Sequence, residues 1–258
     1  MSEIIDKQNH QQFTASFAKG LEVIRAFDKD DSHMTLTELA DKIGYNRATA
    51  RRFLYTLVAL GYVKKIKKQF TLTPKILELG FSYFASMSWR DFAEEQMKEV
   101  VEQIKLSCSL AILDGDHITC IARASITRII SETIHVGARL PAAYTSTGRV
   151  YMTTMPDDEL KKYIDTLPLQ AYTKTSIVDK DVLFRHIKAN QSKSYQLVDS
   201  EIEEGLITVA VPVYNKQRQL SAAINVACHK SYKNIDYLVD TVVPKLQEAS
   251  KEIMKVIL

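Results

Sequence analysis

The chain has 258 residues, of which 46% are hydrophobic and 25% charged, and a formal net charge of +3 at pH 7. This length accommodates one small and one larger domain, and no apolar run is long enough to cross a membrane. Residues 1–12 are polar and predict a flexible N-terminus without a signal peptide. Three scattered cysteines favour a reducing compartment, so we expect a cytoplasmic protein.

The positive charge is concentrated near the N-terminus. Residues 13–75 contain twelve Lys and Arg but six Asp and Glu, and no acidic residue lies between Asp41 and Glu78. A basic surface without carboxylates meets the electrostatic requirement for binding a DNA duplex. The rest of the chain has a slight acidic excess and is not itself predicted to bind nucleic acid.

Two short helices are predicted within this basic stretch. Thr35 and Glu38 form a capping box for the first helix, Gly44 permits a tight turn, and Asn46 caps a second helix from Arg47 to Leu60. The second helix of such a pair lies in the major groove. The residues that we expect to face DNA are Asn46, Arg47, Ala48, Thr49, Arg51, Arg52 and Tyr55. A merely solvated basic helix is the alternative, but the coincidence of cap, turn and basic outer face favours DNA binding.

A lysine-rich hairpin is predicted after Gly61. Strand-forming residues flank its turn, as in the wing of a winged helix. We expect its lysines to touch phosphate without reading sequence. These residues are Lys64, Lys65, Lys67 and Lys68. A hairpin kept soluble by lysine would have the same composition, and only its position after the helix pair favours the wing.

A third helix is predicted to begin at Thr73-Pro74, with Thr73 as N-cap, and to run to about Ser88. Its large apolar residues indicate a linker that also pairs with a second subunit, whereas packing within its own chain is the alternative. The predicted boundaries are therefore 13–73 for a winged helix-turn-helix DNA-binding domain, 74–89 for the linker helix and 90–258 for the C-terminal domain.

The C-terminal domain alternates predicted strands and helices. Strands are expected over 107–113, 117–124, 128–134, 195–198, 207–214 and 220–228. Helices are expected over 90–106, 146–155, 157–165, 180–190 and 234–258, the last one bending near Pro244. Several hairpins with flanking helices predict an α+β domain with a mainly antiparallel sheet.

No catalytic or metal-binding motif is evident. Cys108, His117 and Cys120 are close in sequence, but the spacing matches no known nucleophile or metal motif, and buried structural cysteines are much commoner. Residues 201–204 are interpreted as a solvated acidic turn rather than a metal site. We therefore expect no cofactor and no enzymatic activity. An enzyme of small carboxylic acids is the weaker alternative, and a small-molecule sensor that acts through protein partners is another.

Several segments resemble the IclR family of bacterial transcription regulators. Residues 17–27 are similar to the family's first helix, and 36–40 with 46–52 to its helix-turn-helix. Two further sets are similar to its effector-domain signatures: 136–141 with 145–149, and 203–206 with 210–213. The resemblance extends from about residue 13 to the C-terminus. Residues 70–74 with 77–80 look closest to the branch that regulates protocatechuate and para-hydroxybenzoate catabolism, the β-ketoadipate route.

This resemblance implies a GAF-like effector-binding domain joined by the linker helix to the DNA-binding domain. It also implies an activator or repressor, acting as a homodimer or dimer of dimers, that binds double-stranded operator DNA and a small aromatic carboxylate. The effector contacts that the family implies are Ile129, Leu140, Ser146, Thr147, Thr208 and Asn225.

Two further residues join this set by their chemistry. Free amides at the helix that begins near Ser146 suit a carboxylate, and Gly148 would let the backbone approach it. Arg128 is able to pair with a carboxylate bidentately. The alternatives are that Ser146 simply caps the helix and that Arg128 is an exposed strand residue.

Overall fold

Two separate cores organise the chain, one in residues Met1–Ser86 and one in Met87–Leu258. The computed structural model describes residues 13–126 and 134–257. The division falls inside the segment 74–89 that the sequence predicts as a linker. The predicted flexible N-terminus, the predicted strand over 128–133, Arg128 and Ile129 lie outside the described residues. Within the described part of the chain, no helix has the length and hydropathy needed to span a bilayer.

The first unit is a winged helix-turn-helix. Its helices are α1 (Ala15–Arg25), α2 (Leu36–Ile43) and α3 (Arg47–Ala59), followed by a 3-10 turn (Pro74–Leu77) and α4 (Glu78–Ala85). Strands β1 (Met34–Thr35), β2 (Val63–Ile66) and β3 (Gln69–Leu72) form an antiparallel sheet in the order β1-β3-β2. One apolar cluster joins α1, α2, α3 and the sheet. It includes Val23, Met34, Leu39, Leu54, Val63 and Phe70.

The local signals for the helix pair are confirmed. The Thr35 hydroxyl accepts from the Glu38 amide at 3.3 Å, and the Glu38 carboxylate accepts from the Thr35 amide at 2.7 Å. Gly44 adopts a left-handed φ of 69° at the turn. The Asn46 side-chain oxygen accepts from the Thr49 amide at 2.8 Å, so α3 begins where the sequence predicts.

The linker differs from its prediction in detail. The Thr73 side chain makes no cap and donates to the Gly61 carbonyl at 2.6 Å instead, and the chain then passes through a 3-10 turn. The helix α4 ends at Ala85, a turn earlier than expected. Strand β1 was not predicted, because two residues carry no alternation pattern.

The second unit is an α+β domain, as predicted. Its helices are α5 (Arg90–Ile104), α6 (Ser146–Thr154), α7 (Asp157–Thr166), α8 (Lys180–Asn190), α9 (Ile235–Tyr237) and α10 (Val243–Met254). Its strands are β4 (Cys108–Asp114), β5 (His117–Ala124), β6 (Arg139–Pro141), β7 (Gln196–Asp199), β8 (Leu206–Tyr214) and β9 (Leu220–His229). They form one antiparallel sheet in the order β6-β5-β4-β9-β8-β7.

Two elements of this unit depart from the sequence prediction. The three-residue edge strand β6 was not foreseen. The closing helix is divided into α9, a π-helical turn over Leu238–Val242, and α10. Pro244 lies in the first turn of α10, and its missing N–H explains why the regular bonding pattern is interrupted immediately before it.

Helices cover both faces of the large sheet, since the adjacent residues Val209 and Ala210 point to opposite faces and both are fully buried. Helices α5 and α10 pack together and against the sheet. Helix α6 packs on the face of Ala210 and Ala223 through Val150. This arrangement places the beginning of α6 beside the sheet.

A buried ion pair holds α6 in place. Arg149 is 0% exposed; its Nη2 lies 2.7 Å from a Glu201 carboxylate oxygen, and its Nε donates to the Ala143 carbonyl at 2.7 Å. Burial lowers the pKa of Arg149 and raises that of Glu201, while each partner's charge opposes the shift of the other. The predicted solvated acidic turn is therefore wrong for Glu201, which is buried, whereas Glu203 and Glu204 are exposed.

Replacing Arg149 with Met leaves the Glu201 carboxylate buried without its cation, so we expect a loss of about 3–5 kcal/mol in the free energy of unfolding. The double variant Arg149→Met, Glu201→Leu removes both charges and should recover most of that loss. Denaturant unfolding followed by circular dichroism measures both. As a control, Lys188→Met breaks an exposed pair with Asp157 and should cost no more than about 1 kcal/mol. A single variant as stable as the wild type would contradict the proposed energetic role.

Candidate DNA-binding surface and effector site

Helix α3 directs a basic surface away from the core of its unit. Ala50, Leu54 and Leu57 are its buried residues. The exposed residues on its other sides include most of the predicted DNA contacts. They are Arg47, Ala48, Arg51, Arg52 and Tyr55. Thr49 is half-buried, and the Asn46 side-chain oxygen is already occupied by the Thr49 amide, so these two residues organise the helix start.

Tyr55 connects the helix to the hairpin. Lys65 Nζ donates to the Tyr55 hydroxyl at 3.3 Å, and this hydrogen bond lowers the pKa of Tyr55. The Arg51 guanidinium lies 5.3 Å from the centre of the Tyr55 ring, and Phe70 of β3 meets that ring edge-on at 6.1 Å. Sequence spacing did not reveal this cluster, because it joins residues on three different elements.

The predicted wing lysines all lie exposed around the turn between β2 and β3, where Lys67 adopts a left-handed φ of 55°. Between this hairpin, α3 and the start of α2 lies a cleft of about 490 Å³. Its charged lining residues, Arg47, Arg51, Lys65 and Lys68, are all basic. A concave basic surface of this kind attracts the phosphate backbone of DNA.

The start of α6 is organised differently from the prediction. The helix begins at Ser146, but the capping side chain is Thr145, whose hydroxyl accepts from the Gly148 amide at 3.1 Å. A Cβ at position 148 would lie 2.0 Å from the Ala142 carbonyl oxygen. Gly148 therefore permits close packing inside the protein rather than close approach of a ligand, and its amide is already used.

Two buried hydroxyls in this region lack a hydrogen-bond partner within the described residues. They are Ser146 Oγ and Thr208 Oγ1, both in the predicted effector set. Ser146 is 1% exposed. Because buried polar groups are almost always hydrogen-bonded, an unpartnered hydroxyl indicates a place that a ligand or water completes. The neighbouring Thr147 is equally buried.

The structure brings most of the predicted effector residues to one side of the sheet. Asn225 pairs directly with Ala210, against which Val150 of α6 packs, and Thr208 is two residues from Ala210 on the same strand face. Tyr151 bonds to the Ser221 carbonyl, which directs the start of α6 toward Asn225 rather than away from it. Leu140 lies apart, on edge strand β6 opposite Ile118.

The cysteine and histidine residues do not form a catalytic group. Cys108 pairs with Ala124 and Cys120 with Ala111, so the two thiols are not opposite one another. Burial raises the pKa of both thiols, which makes them poor nucleophiles. The His117 ring bonds to Asp116 at 2.6 Å and lowers the pKa of that carboxyl. Among the described residues, no cluster of side chains suits a metal ion.

Comparison with known proteins gives consistent matches along the chain. Residues 16–66 match the IclR helix-turn-helix domain, and residues 81–255 match the C-terminal domain of bacterial IclR transcriptional regulators. The Pca regulon regulatory protein of Pseudomonas putida is 35% identical over 93% of this chain and 83% of its own length. The p-hydroxybenzoate hydroxylase transcriptional activator of Acinetobacter baylyi is 31% identical over 96% and 93%.

A solved structure provides a third comparison. The inducer-binding domain of an Acinetobacter PobR double mutant, in complex with 3-hydroxybenzoic acid, superposes with a TM-score of 0.61. It is 28% identical and covers 64% of this chain and 97% of its own. These matches account for both structural units. The chain belongs to the IclR family of bacterial transcriptional regulators.

Proposed function

We propose that this regulator binds operator DNA through α3 and the β2–β3 hairpin, and that a small aromatic acid such as protocatechuate or para-hydroxybenzoate controls it. The observation that carries the sensing half is the pair of buried, unpartnered hydroxyls of Ser146 and Thr208. The named relatives that act in p-hydroxybenzoate metabolism or bind 3-hydroxybenzoic acid support the aromatic class. Because operators are chromosomal, we place the protein in the cytoplasm.

The DNA-binding half follows from charge and shape. The exposed arginines of α3 enter the major groove, and the wing lysines contact phosphates on either side of it. The bond between Lys65 and Tyr55 keeps the hairpin in register with the helix, so groove and phosphate contacts form together. Since the similar proteins are regulators, we assign the chain no catalytic role.

A homodimer, or a dimer of dimers, is the assembly that we propose. Leu77 and Phe81 of the linker segment are 73% and 70% exposed, and Phe17 of α1 is 69% exposed. An apolar cleft of about 510 Å³ lies between α1, α3 and Leu79 of α4 in the same unit. Exposed apolar surface of this extent favours a protein interface, and two copies would supply two recognition helices.

The effector would occupy the space between the start of α6 and the sheet. Leu140, Ser146, Thr147, Thr208 and Asn225 are the described members of this proposed site. Binding would favour one conformation of the sensor and thereby alter the spacing of two DNA-binding units in the dimer. Such coupling is reciprocal, so DNA must change the affinity for effector by the same factor.

The first test of this proposal concerns base reading by Arg47, Arg51 and Arg52. Alanine at a base-contacting position should cost about 1–3 kcal/mol of binding free energy and relax sequence preference. Fluorescence anisotropy with a selected duplex and a random duplex measures both effects. Arg185→Ala, in the exposed surface of α8, is a control for total charge. If all three single variants bind both duplexes as the wild type does, α3 is not the reading helix.

Neutralising the wing should change the salt dependence instead. For each phosphate contact that Lys64, Lys65, Lys67 or Lys68 makes, its removal should lower the slope of log affinity against log salt by about one. Sequence preference should remain, because phosphate contacts carry no base information. The fourfold alanine variant is compared with Lys161→Ala, Lys162→Ala in the sensor unit. A slope unchanged from that control would remove the wing from the interface.

The effector site is tested by Ser146→Ala combined with Thr147→Val. This double variant should still bind DNA but lose its response to para-hydroxybenzoate, because two buried hydroxyls disappear without loss of volume at position 147. Titration calorimetry measures the affinity directly. Thr153→Val, Thr154→Val in the last turn of the same helix is the matched control. Retained affinity in the first double variant would show that the ligand binds elsewhere.

A further inference from the structure

A row of polar side chains crosses the sheet beside the proposed effector site. Arg123 of β5 pairs directly with Ser109 of β4, Ser109 pairs with Asn225 of β9, and Asn225 pairs with Ala210 of β8. Directly opposed residues in antiparallel strands project to the same face. All four therefore lie on the face against which Val150 of α6 packs.

Small side chains leave room above this row. Ala111, Ala223 and Ala227 stand two residues from Ser109 or Asn225 on the same face. They surround Asn225 with little more than methyl groups. The unpartnered Thr208 hydroxyl opposes Ala227, and the unpartnered Ser146 hydroxyl belongs to the helix that covers this face.

Arg123 projects inward over the sheet. Its Nη1 donates to the Ser109 hydroxyl at 2.8 Å, so the guanidinium lies over β4 rather than toward the edge strand β6. Its Nε donates to the Ser125 hydroxyl at 3.0 Å. The side chain is half-buried, and burial lowers the pKa of Arg123 from its ordinary value. A guanidinium nevertheless stays charged in proteins, so this is a partly desolvated cation held at a defined angle.

We propose that Arg123 binds the carboxylate of the effector, while the hydroxyls of Ser146 and Thr208 bind polar groups at the opposite end of its ring. This inference rests on the proposed function and assigns an orientation within that site. The planar fork of arginine matches a carboxylate bidentately, and a partly dehydrated environment strengthens the pair. With the Gly148 amide occupied by Thr145, the start of α6 is the weaker carboxylate site of the two.

The spacing of the strands fits an aromatic acid. Arg123 and Thr208 lie on strands β5 and β8, three steps apart in the sheet, which corresponds to about 14 Å. The arginine side chain extends across part of that distance toward β4. The remaining gap is suited to one benzoate ring with its carboxylate toward Arg123 and a ring hydroxyl toward Thr208. An aliphatic monocarboxylate would reach the cation but leave both hydroxyls unpartnered.

Titration calorimetry of the full chain with para-hydroxybenzoate and its neutral analogue para-hydroxybenzamide tests the assignment. The wild type should prefer the acid. In Arg123→Met the affinity for the acid should fall by about 10- to 100-fold, the range expected for loss of a charged hydrogen bond, while the amide affinity changes little. Arg123→Lys should restore part of the preference. Arg139→Met, which removes an arginine paired with Asp114 on edge strand β6, is the matched control and should keep it.

The outcomes separate the two levels of the proposal. If the wild type binds the acid preferentially and Arg123→Met or Arg123→Lys keeps that preference unchanged, the orientation is wrong while the sensing function stands. If the wild type binds para-hydroxybenzoate, protocatechuate and 3-hydroxybenzoate not at all, the proposed function fails and this inference with it. Thermal unfolding without ligand identifies any variant that does not fold, and Ser109→Ala then serves as the second variant, with a smaller loss of acid preference expected.

Discussion

A cation enclosed in the sensor unit constrains everything around it. Arg149 has no access to water, and its charge is balanced by Glu201 from the segment after β7 and by the Ala143 carbonyl from the turn before α6. Removing either partner would leave a buried charge, so three segments must remain together. One residue earlier, Gly148 lies so close to the Ala142 carbonyl that a side chain does not fit. The start of α6 is thus fixed by electrostatics and by steric contact, and a site built there is preformed rather than assembled by its ligand.

The sequence predicted the elements that depend on local signals. Caps at Thr35 and Asn46, the turn at Gly44 and the hairpin around Gly115 all report their structure within a few residues, and each was found as expected. The features that it did not predict depend on distant partners. Strands β1 and β6 exist because a neighbouring strand pairs with them, and no short pattern encodes that. Glu201 was taken for an exposed turn residue because its partner, Arg149, is 52 positions away.

The same distinction applies to the candidate sites. The basic residues of the DNA-binding surface could be recognised from composition, since the absence of carboxylates over a long stretch is visible without a fold. The cluster around Tyr55 and the row from Arg123 to Asn225 required the register of the sheets. They suggest a common design in both units: a cation is held by a hydroxyl or ring at a set angle, so that an anionic partner meets a preorganised donor. Preorganisation of this kind reduces the entropy lost on binding.

The most direct test of the account is the affinity of the full chain for a duplex that it selects from a random pool. Anisotropy titrations would be performed without ligand and with saturating protocatechuate or para-hydroxybenzoate. Coupling between the sensor and the DNA-binding units predicts that at least one acid changes the DNA affinity by about fivefold or more, in either direction. The neutral para-hydroxybenzamide should leave it unchanged. Equal DNA affinities with and without both saturating acids would contradict the claim that this regulator senses an aromatic acid.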